Sequence, residues 1–133
     1  MPGPVIDPSE TVSRYLFKED IRSDETIRYQ AFLPSSSNPN LSVFRVFGLS
    51  DQEIWALAVE KVEPIRRKRV IARGDLSVAQ VEEKQLVVQP DAEITSRHAN
   101  IVDWPPDREK RATIAKDLAA LASQQAKRRD QQA

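Results

Sequence analysis

The residues that decide the fold are 41–64, which read LSVFRVFGLSDQEIWALAVEKVEP. Residues 41–47 place apolar side chains at alternating positions, a pattern typical of a β-strand. The spacing then becomes helical, and Ser50 and Glu53 have the positions of a capping box. A proline ends the run, because its ring cannot continue a helix. The segment therefore predicts a strand followed directly by a helix over about 51–63.

The segments before this one extend the mixed pattern. Asp7 as a cap and Pro8 at the first helical position predict a short helix that ends near Leu16. Alternating side chains predict a strand over 26–33. A loop rich in turn-forming residues joins it to strand 41–47, so the two strands are expected to form an antiparallel hairpin.

The second half of the chain is predicted to supply the remaining strands and the last helix. Strand patterns cover 70–73 and 76–81, with a bulge or bend at Gly74-Asp75 between them, and a further short strand covers 85–89. Residues 91–97 are expected to be a loop. The final helix is expected to begin at Pro106 or Asp107.

The order of these elements predicts an α+β fold, in which a small antiparallel sheet is covered on one face by helices and the chain carries a C-terminal helix. The expected division is a flexible N-terminal arm over 1–7, a single α+β domain over 8–126 and a frayed C-terminal tail over 127–133.

Composition removes several classes of function. Lys plus Arg equals Asp plus Glu at 20 each, so the chain as a whole has no basic charge to attract nucleic acid. The absence of cysteine rules out thiolate nucleophiles and cysteine-bound metals, and with one histidine no metal site is expected. No glycine motif for phosphates is present, and no cofactor is expected. Without a membrane-spanning run or a secretion signal, a cytoplasmic protein is expected.

Five short blocks lie along the chain: Ser13-Arg14-Tyr15, Ala31-Phe32-Leu33-Pro34, Leu41-Ser42-Val43-Phe44-Arg45, Gly48-Leu49-Ser50 with Glu53-Ile54-Trp55, and His98-Ala99-Asn100-Ile101 with Trp104-Pro105. In this order and spacing they resemble a family of small bacterial proteins of about this length, to which no activity is assigned. The resemblance spans most of residues 12–122 and implies a bacterial cytoplasmic origin and a single domain. It implies no activity, cofactor or ligand. By analogy with toxin–antitoxin or phage-defence clusters, such proteins act beside a partner.

His98 is the first candidate for chemistry, because its side chain suits proton transfer near neutral pH. Ser96 and Asp103 lie near it in the sequence, but their spacing does not mark them as catalytic partners. The structural alternative is a histidine that bonds a backbone carbonyl and caps a turn.

Four further residues are candidates for holding a ligand or anion: Arg14, Arg45, Asn100 and Trp104. Arg45 interrupts an apolar strand face, so it needs a carboxylate, a phosphate or solvent. If Arg14 and Arg45 converge on His98, they form an anion pocket. The alternative for Arg45 is an ion pair with Asp20 or Glu53. For Asn100 and Trp104 the alternative is that they fix the turn and anchor the last helix.

A basic segment is the candidate for nucleic acid, since phosphate contacts need no particular spacing. Its members are Arg66, Arg67, Lys68, Arg69 and Arg73. No aromatic residue lies among them to stack on bases. The alternative is a solvated strand edge, whose charge opposes aggregation.

Three functions follow from these residues. The first is a non-catalytic interaction protein that docks a protein partner or self-associates. The second is a hydrolase or nuclease centred on His98 with an arginine-lined anion pocket. The third is a nucleic-acid-binding module that uses residues 66–73.

Overall fold

The computed structural model describes residues 6–35, 39–91 and 95–129. Within these ranges six strands form one antiparallel sheet. They are β1 (Thr11–Leu16), β2 (Leu41–Arg45), β3 (Ala72–Ser77), β4 (Val87–Pro90), β5 (His98–Val102) and β6 (Lys127–Arg128). Their order across the sheet is β4-β5-β2-β1-β3-β6, which makes β2 and β1 the central pair.

Four α-helices accompany the sheet in the same part of the chain. They are α1 (Asp51–Lys61), α2 (Glu63–Arg66), α3 (Val78–Glu82) and α4 (Arg108–Ser123). Two 3-10 turns cover Lys18–Asp20 and Tyr29–Phe32. The predicted α+β class with a C-terminal helix is confirmed.

The two sides of the sheet carry separate clusters of apolar side chains, because neighbouring residues of a strand point to opposite sides. Val43 packs in the larger cluster, together with Leu118 of α4. Phe44 packs in the smaller cluster, together with Ile54 and Trp55 of α1. Helices therefore cover both sides, and we call the side that carries Phe44 the α1 face. Over β4 and β5 this face is more open, since Val87 and Gln89 are exposed.

The start of α1 follows the prediction from the capping box. The Ser50 hydroxyl accepts a hydrogen bond from the Glu53 amide at 3.2 Å, and the Glu53 carboxylate accepts one from the Ser50 amide at 3.0 Å. Both exposed amides at the helix start are thus satisfied by local side chains. This signal is contained in four consecutive residues, so it needs no tertiary contact.

Gly74 lies inside β3 where α4 and the Tyr29–Phe32 turn approach the sheet closely. A Cβ atom at this position would lie 2.9 Å from Ile27 Cδ1 and 3.1 Å from Ala122 Cβ. The prediction of a bulge or bend at Gly74-Asp75 is wrong, because β3 runs through both residues and pairs continuously with β1. The glycine here allows close packing.

The predicted helix that ends near Leu16 is wrong. Asp7 does accept hydrogen bonds from the Ser9 amide and hydroxyl, which is the capping chemistry that suggested a helix. The chain then extends from Thr11 into β1, which pairs with β2 on one side and β3 on the other. Two strand partners outweigh a local preference for a helical turn.

The predicted strand over 26–33 and its hairpin with 41–47 are also wrong. Residues Tyr29–Phe32 form a 3-10 turn, with Ala31 and Phe32 buried beneath α4. Strand β2 pairs instead with β1 and β5. Alternation of apolar side chains over a few residues is shared by strands and by short packed turns, so it did not distinguish them.

The chain after β3 differs from the prediction in three places. Residues 78–82 form α3 where a strand was expected, and its start is capped by Ser77. Residues 98–102, for which no strand was predicted, form β5. Lys127 and Arg128, expected in the frayed tail, pair with β3 as β6. Residues 1–5 of the predicted arm and 130–133 of the tail lie outside the described residues.

Candidate active site

The register of three strands brings polar residues together on the α1 face. Ser42 of β2 lies opposite Asn100 of β5, and Phe44 lies opposite His98. On the other side of β5, Asp91 follows β4 and its amide donates to the His98 carbonyl at 2.9 Å. Residues directly opposite each other in an antiparallel pair share a face of the sheet. Side chains from three strands therefore surround His98.

His98 is placed between a hydroxyl and a carboxyl group. Its Nε2 lies 2.6 Å from the Ser42 Oγ. Its Nδ1 lies 3.2 Å from the Asp91 carbonyl oxygen and 3.5 Å from Asp91 Oδ2. The His98 side chain is 4% exposed. Nδ1 thus faces a backbone carbonyl, as the structural alternative expects, whereas Nε2 faces a serine.

These neighbours determine which ring nitrogen of neutral His98 carries the hydrogen. The groups recorded at Nδ1 are oxygen acceptors, so Nδ1 must be the donor. Nε2 then holds the lone pair and accepts the Ser42 hydroxyl hydrogen. This is the tautomer and the direction that a histidine needs to remove a proton from a serine.

Two neighbours hold this arrangement in place. The Asn100 amide nitrogen donates to Asp91 Oδ2 at 3.2 Å, which orients the carboxylate beside the ring. Phe44 packs its edge against the imidazole, with 5.3 Å between the ring centres. Asn100, predicted to hold a ligand or anion, thus bonds the carboxylate beside His98.

Arg14 reaches the site from the point where β1 and β2 separate. Their recorded pairing ends at Ser13, one residue earlier. The Arg14 Nη1 donates to the Ser42 carbonyl at 2.8 Å, and its Nε donates to the Ala31 carbonyl at 2.9 Å. Burial, with a smaller contribution from the like charge of Arg66, lowers the pKa of Arg14 to about 10. The guanidinium therefore stays charged at neutral pH, next to the serine that faces His98.

A cavity of about 180 Å³ opens beside Ser42 between the sheet and the end of α1. Three cationic side chains line it, from Arg14, Lys61 and Arg66. The rest of its wall, apart from Ser42, is apolar or aromatic and comes from Tyr15, Phe17, Phe44, Val62 and Ile65. The site thus combines a serine–histidine pair with a small positively charged cavity.

Arg45 and Trp104 do not join this site. The Arg45 guanidinium makes two hydrogen bonds to the Glu10 carboxylate, at 2.6 Å and 3.1 Å, and these raise its pKa. It is an ion pair, as the structural alternative held, but with a different acid from the two considered. The Trp104 indole donates to the Ile101 carbonyl at 2.9 Å and packs in the larger core cluster.

The basic segment is divided by the structure. Arg66, Arg67, Lys68 and Arg69 are exposed. Lys68 pairs with Glu19, and both Lys68 and Arg66 lie over the Phe17 ring. Arg73 is 1% exposed, so its prediction as a phosphate contact is wrong. The strand pattern that placed it beside the other four residues did not reveal that it points beneath α1.

Arg73 belongs to a second polar cluster, on the same α1 face. Its Nη2 donates to Asp51 Oδ1 at 2.9 Å, and its Nε lies 3.4 Å from Asp75 Oδ1. The Ser13 hydroxyl donates to the same Asp75 oxygen at 2.5 Å. The guanidinium also lies over the Trp55 ring, 5.1 Å from its centre. We call Ser13, Asp51, Arg73 and Asp75 the arginine cluster.

Sequence reasoning missed Ser42 and Asp91 and considered Ser96 and Asp103 in their place. Ser42 is separated from His98 by 56 positions and meets it only through the pairing of β2 with β5. A usable signal was present in HANIV, residues 98–102, which ends in two β-branched residues of the kind that favour strands. A strand there would have directed attention to polar residues on its neighbours.

Comparison with known protein families, with curated protein sequences and with solved structures finds no match to this chain. Within the described ranges, no three His, Asp or Glu residues are grouped so that they could bind a metal ion. None of the helices in those ranges combines the length and the apolar character that crossing a bilayer requires.

Proposed function

We propose that the chain is a hydrolase of carboxylic esters or thioesters, with Ser42 as the nucleophile and His98 as the general base. The observation that carries this proposal is the 2.6 Å contact from Ser42 Oγ to His98 Nε2, with Asp91 on the other ring nitrogen. Nucleophile, base and orienting acid are the three roles that this chemistry requires, whatever the fold.

The reaction would proceed in two halves. Ser42 Oγ attacks the substrate carbonyl carbon while Nε2 takes the hydroxyl proton, and that proton then leaves with the alcohol or thiol. A water molecule attacks the resulting acyl-serine, His98 takes one of its protons, and the proton returns to Ser42 Oγ as the carboxylic acid departs. Asp91 touches no reacting atom in this scheme, so its role is to position the imidazole.

Developing charge on the substrate oxygen needs hydrogen-bond donors beside Ser42. Two side chains are near enough to supply them. The Arg14 guanidinium is bonded to the Ser42 carbonyl, and Asn100 lies directly across the strand pair from Ser42. Arg14 is the stronger candidate, because its charge is held in a partly buried site where electrostatic interactions are larger.

A fluorophosphonate probe tests the nucleophile directly. Such probes react with activated serines, forming an Oγ–phosphorus bond as fluoride leaves. We expect one adduct, mapped to Ser42 by peptide mass spectrometry, with no adduct on the Ser42→Ala variant. His98→Gln is expected to slow the labelling by at least about a hundredfold, because the base is lost.

The matched control is Ser13, a serine of the neighbouring strand whose hydroxyl also donates to a side chain. Its acceptor is a carboxylate, and the side chain is fully buried, so Ser13 should remain unlabelled. Failure of Ser42 to react in the folded protein would refute the proposal. Labelling that also survives in His98→Gln at the wild-type rate would remove His98 from the mechanism.

The other functions derived from the sequence remain predictions. Docking of a protein partner is compatible with the exposed apolar side chains of Phe47 and Ile65. Single exposed apolar residues are common on protein surfaces, so they favour no particular partner. Of the five residues proposed for nucleic-acid binding, four are exposed. A cytoplasmic location and a bacterial origin likewise rest on the sequence alone.

A further inference from the structure

The cavity beside Ser42 holds more positive charge than the nearby acids neutralise. In the described part of the chain, no carboxylate lies within ion-pair distance of Arg14, Lys61 or Arg66. Like charges collected in one partly buried space repel each other, and an anion placed among them relieves that repulsion. The lowering of the Arg14 pKa by Arg66 is consistent with this repulsion.

Asp20 and Glu19, the acids whose charges act on Arg14 and Arg66, are bonded to other groups. Asp20 favours the charged form of Arg14, but its carboxylate accepts a hydrogen bond from the Phe17 amide at 2.8 Å. Glu19 is paired with Lys68, which lies over the Phe17 ring. Neither acid lines the cavity.

The volume and the walls of the cavity limit the kind of molecule that can carry the anionic group. A volume of about 180 Å³ is smaller than the ~300–1,000 Å³ of most ligand pockets. It is close to the roughly 150 Å³ of an apolar cavity that accepts a benzene ring. The rings of Tyr15, Phe17 and Phe44 supply apolar wall for such a group.

We propose that this cavity binds a small molecule with an apolar body and one anionic group, a phosphate or a carboxylate, held by Arg14, Lys61 and Arg66. The Arg66 guanidinium suits both anions, because it can donate paired hydrogen bonds in one plane, whereas Arg14 already uses Nε and Nη1 on carbonyls and offers its Nη2 and its charge. The assignment of this molecule as the substrate rests on the proposed hydrolase function, whereas its binding does not. The expected substrate is therefore an ester that carries a second, anionic group.

Calorimetric titration with three probes tests the binding. Phenyl phosphate and benzoate carry the two candidate anions, and phenol carries the ring without a strong charge. The Ser42→Ala variant is titrated beside the wild type. We expect one or both anionic probes to bind at least about tenfold more tightly than phenol, and the affinity to fall with added salt. The tighter of the two identifies the anion.

Lys61 and Arg66 lie at the surface ends of α1 and α2, so their replacement should leave the fold intact. The double variant Lys61→Gln, Arg66→Gln is expected to weaken the anionic probes by about tenfold or more. The control is Lys110→Gln, Lys116→Gln, which removes the same charge from exposed positions of α4. Equal weakening in both double variants, or no preference over phenol, would overturn the proposal.

The outcomes separate this inference from the proposed function. Probe binding by a protein whose Ser42 is not labelled would support an anion-binding cavity and refute the hydrolase. Labelling of Ser42 without probe binding would support the hydrolase and refute the anionic substrate.

Discussion

Two polar clusters on the same face of the sheet use similar residues in different ways. The site at His98 and the arginine cluster each contain a serine, a carboxylate and a nitrogen base or cation. In the arginine cluster the serine hydroxyl and the guanidinium both face Asp75, and α1 with Trp55 covers them. At His98 the serine hydroxyl faces a ring nitrogen, and the space beside it is a cavity.

The two clusters differ in the group that accepts the hydrogen bond from the serine, and in what surrounds the serine and that group. A carboxylate that accepts from a serine and lies 3.4 Å from a guanidinium nitrogen is neutralised, and breaking the resulting buried ion pair would destabilise the packing of α1. An imidazole nitrogen that accepts from a serine can take the serine proton as a general base. We therefore expect changes in the arginine cluster to alter stability, and changes at His98 to alter reactivity.

The largest expected effect is that of His98→Gln on ester hydrolysis. Loss of the base should lower kcat/KM for a carboxylic ester by about 10²–10⁴-fold. Since glutamine can keep a polar contact at this position, the free energy of unfolding should change by less than about 2 kcal/mol. Hydrolysis of a chromogenic ester and urea denaturation measure the two quantities on the same sample.

Asp91→Asn serves as the companion variant, since it keeps the side-chain shape and removes the charge beside Nδ1. A positioning role predicts a loss of kcat/KM, together with a changed dependence of the rate on pH. If the rate is unchanged in both variants, the His98 site has a structural role, as the arginine cluster does.

Arg73→Met is expected to have the largest effect on stability. It leaves the Asp75 carboxylate buried with the Ser13 hydroxyl as its remaining recorded partner. Removal of one member of a buried ion pair costs about 3–5 kcal/mol. Urea denaturation measures the loss, and the double variant Arg73→Met, Asp75→Leu should recover part of it. A loss below about 1 kcal/mol would show that the cluster does not hold α1 to the sheet.

The parts of the fold that were predicted correctly depend on chemistry within a few consecutive residues. Ser50 and Glu53 form their capping box without help from the rest of the chain, and Asp107 caps α4 in the same local way. The Asp7 turn has similar local chemistry, yet the chain beyond it joins the sheet. Local signals therefore predict where a helix can start, whereas strand partners decide whether it does.

The site was predicted only in part for a related reason. His98 and Asn100 stood out as polar residues in one short run, but their partners are set by the pairing of β4, β5 and β2. From the sequence, Arg14 and Arg45 were both candidates for the anion pocket, but the pairing of strands places them at different sites. Arg45 lies opposite Val12 and makes an ion pair with Glu10. Arg14 lies where β1 and β2 separate, and it donates to the Ser42 carbonyl.

The smallest expected effect is that of Asp51→Asn, at the exposed edge of the arginine cluster. The hydrogen bond from Arg73 holds the pKa of Asp51 below its usual value of 3.8. A carboxyl group whose pKa is lower in the folded state adds stability above the unfolded-state pKa, and that stability is lost as the pH falls through the folded-state pKa. Because this side chain is 56% exposed, solvent screens the pair, and the contribution at pH 7 should be below about 1 kcal/mol.

Thermal unfolding of the wild type and Asp51→Asn at several pH values tests this expectation. The wild type and Asp51→Asn should differ in Tm at neutral pH. The difference should vanish in acid, because Asp51 of the folded wild type is then protonated and uncharged, like the asparagine. The charge of Asp51 also favours the start of α1, and that contribution titrates with the same group. A difference that persists in acid would mean that the Asp51 side chain acts through packing, and the arginine cluster would then depend on Asp75 alone for its charge balance.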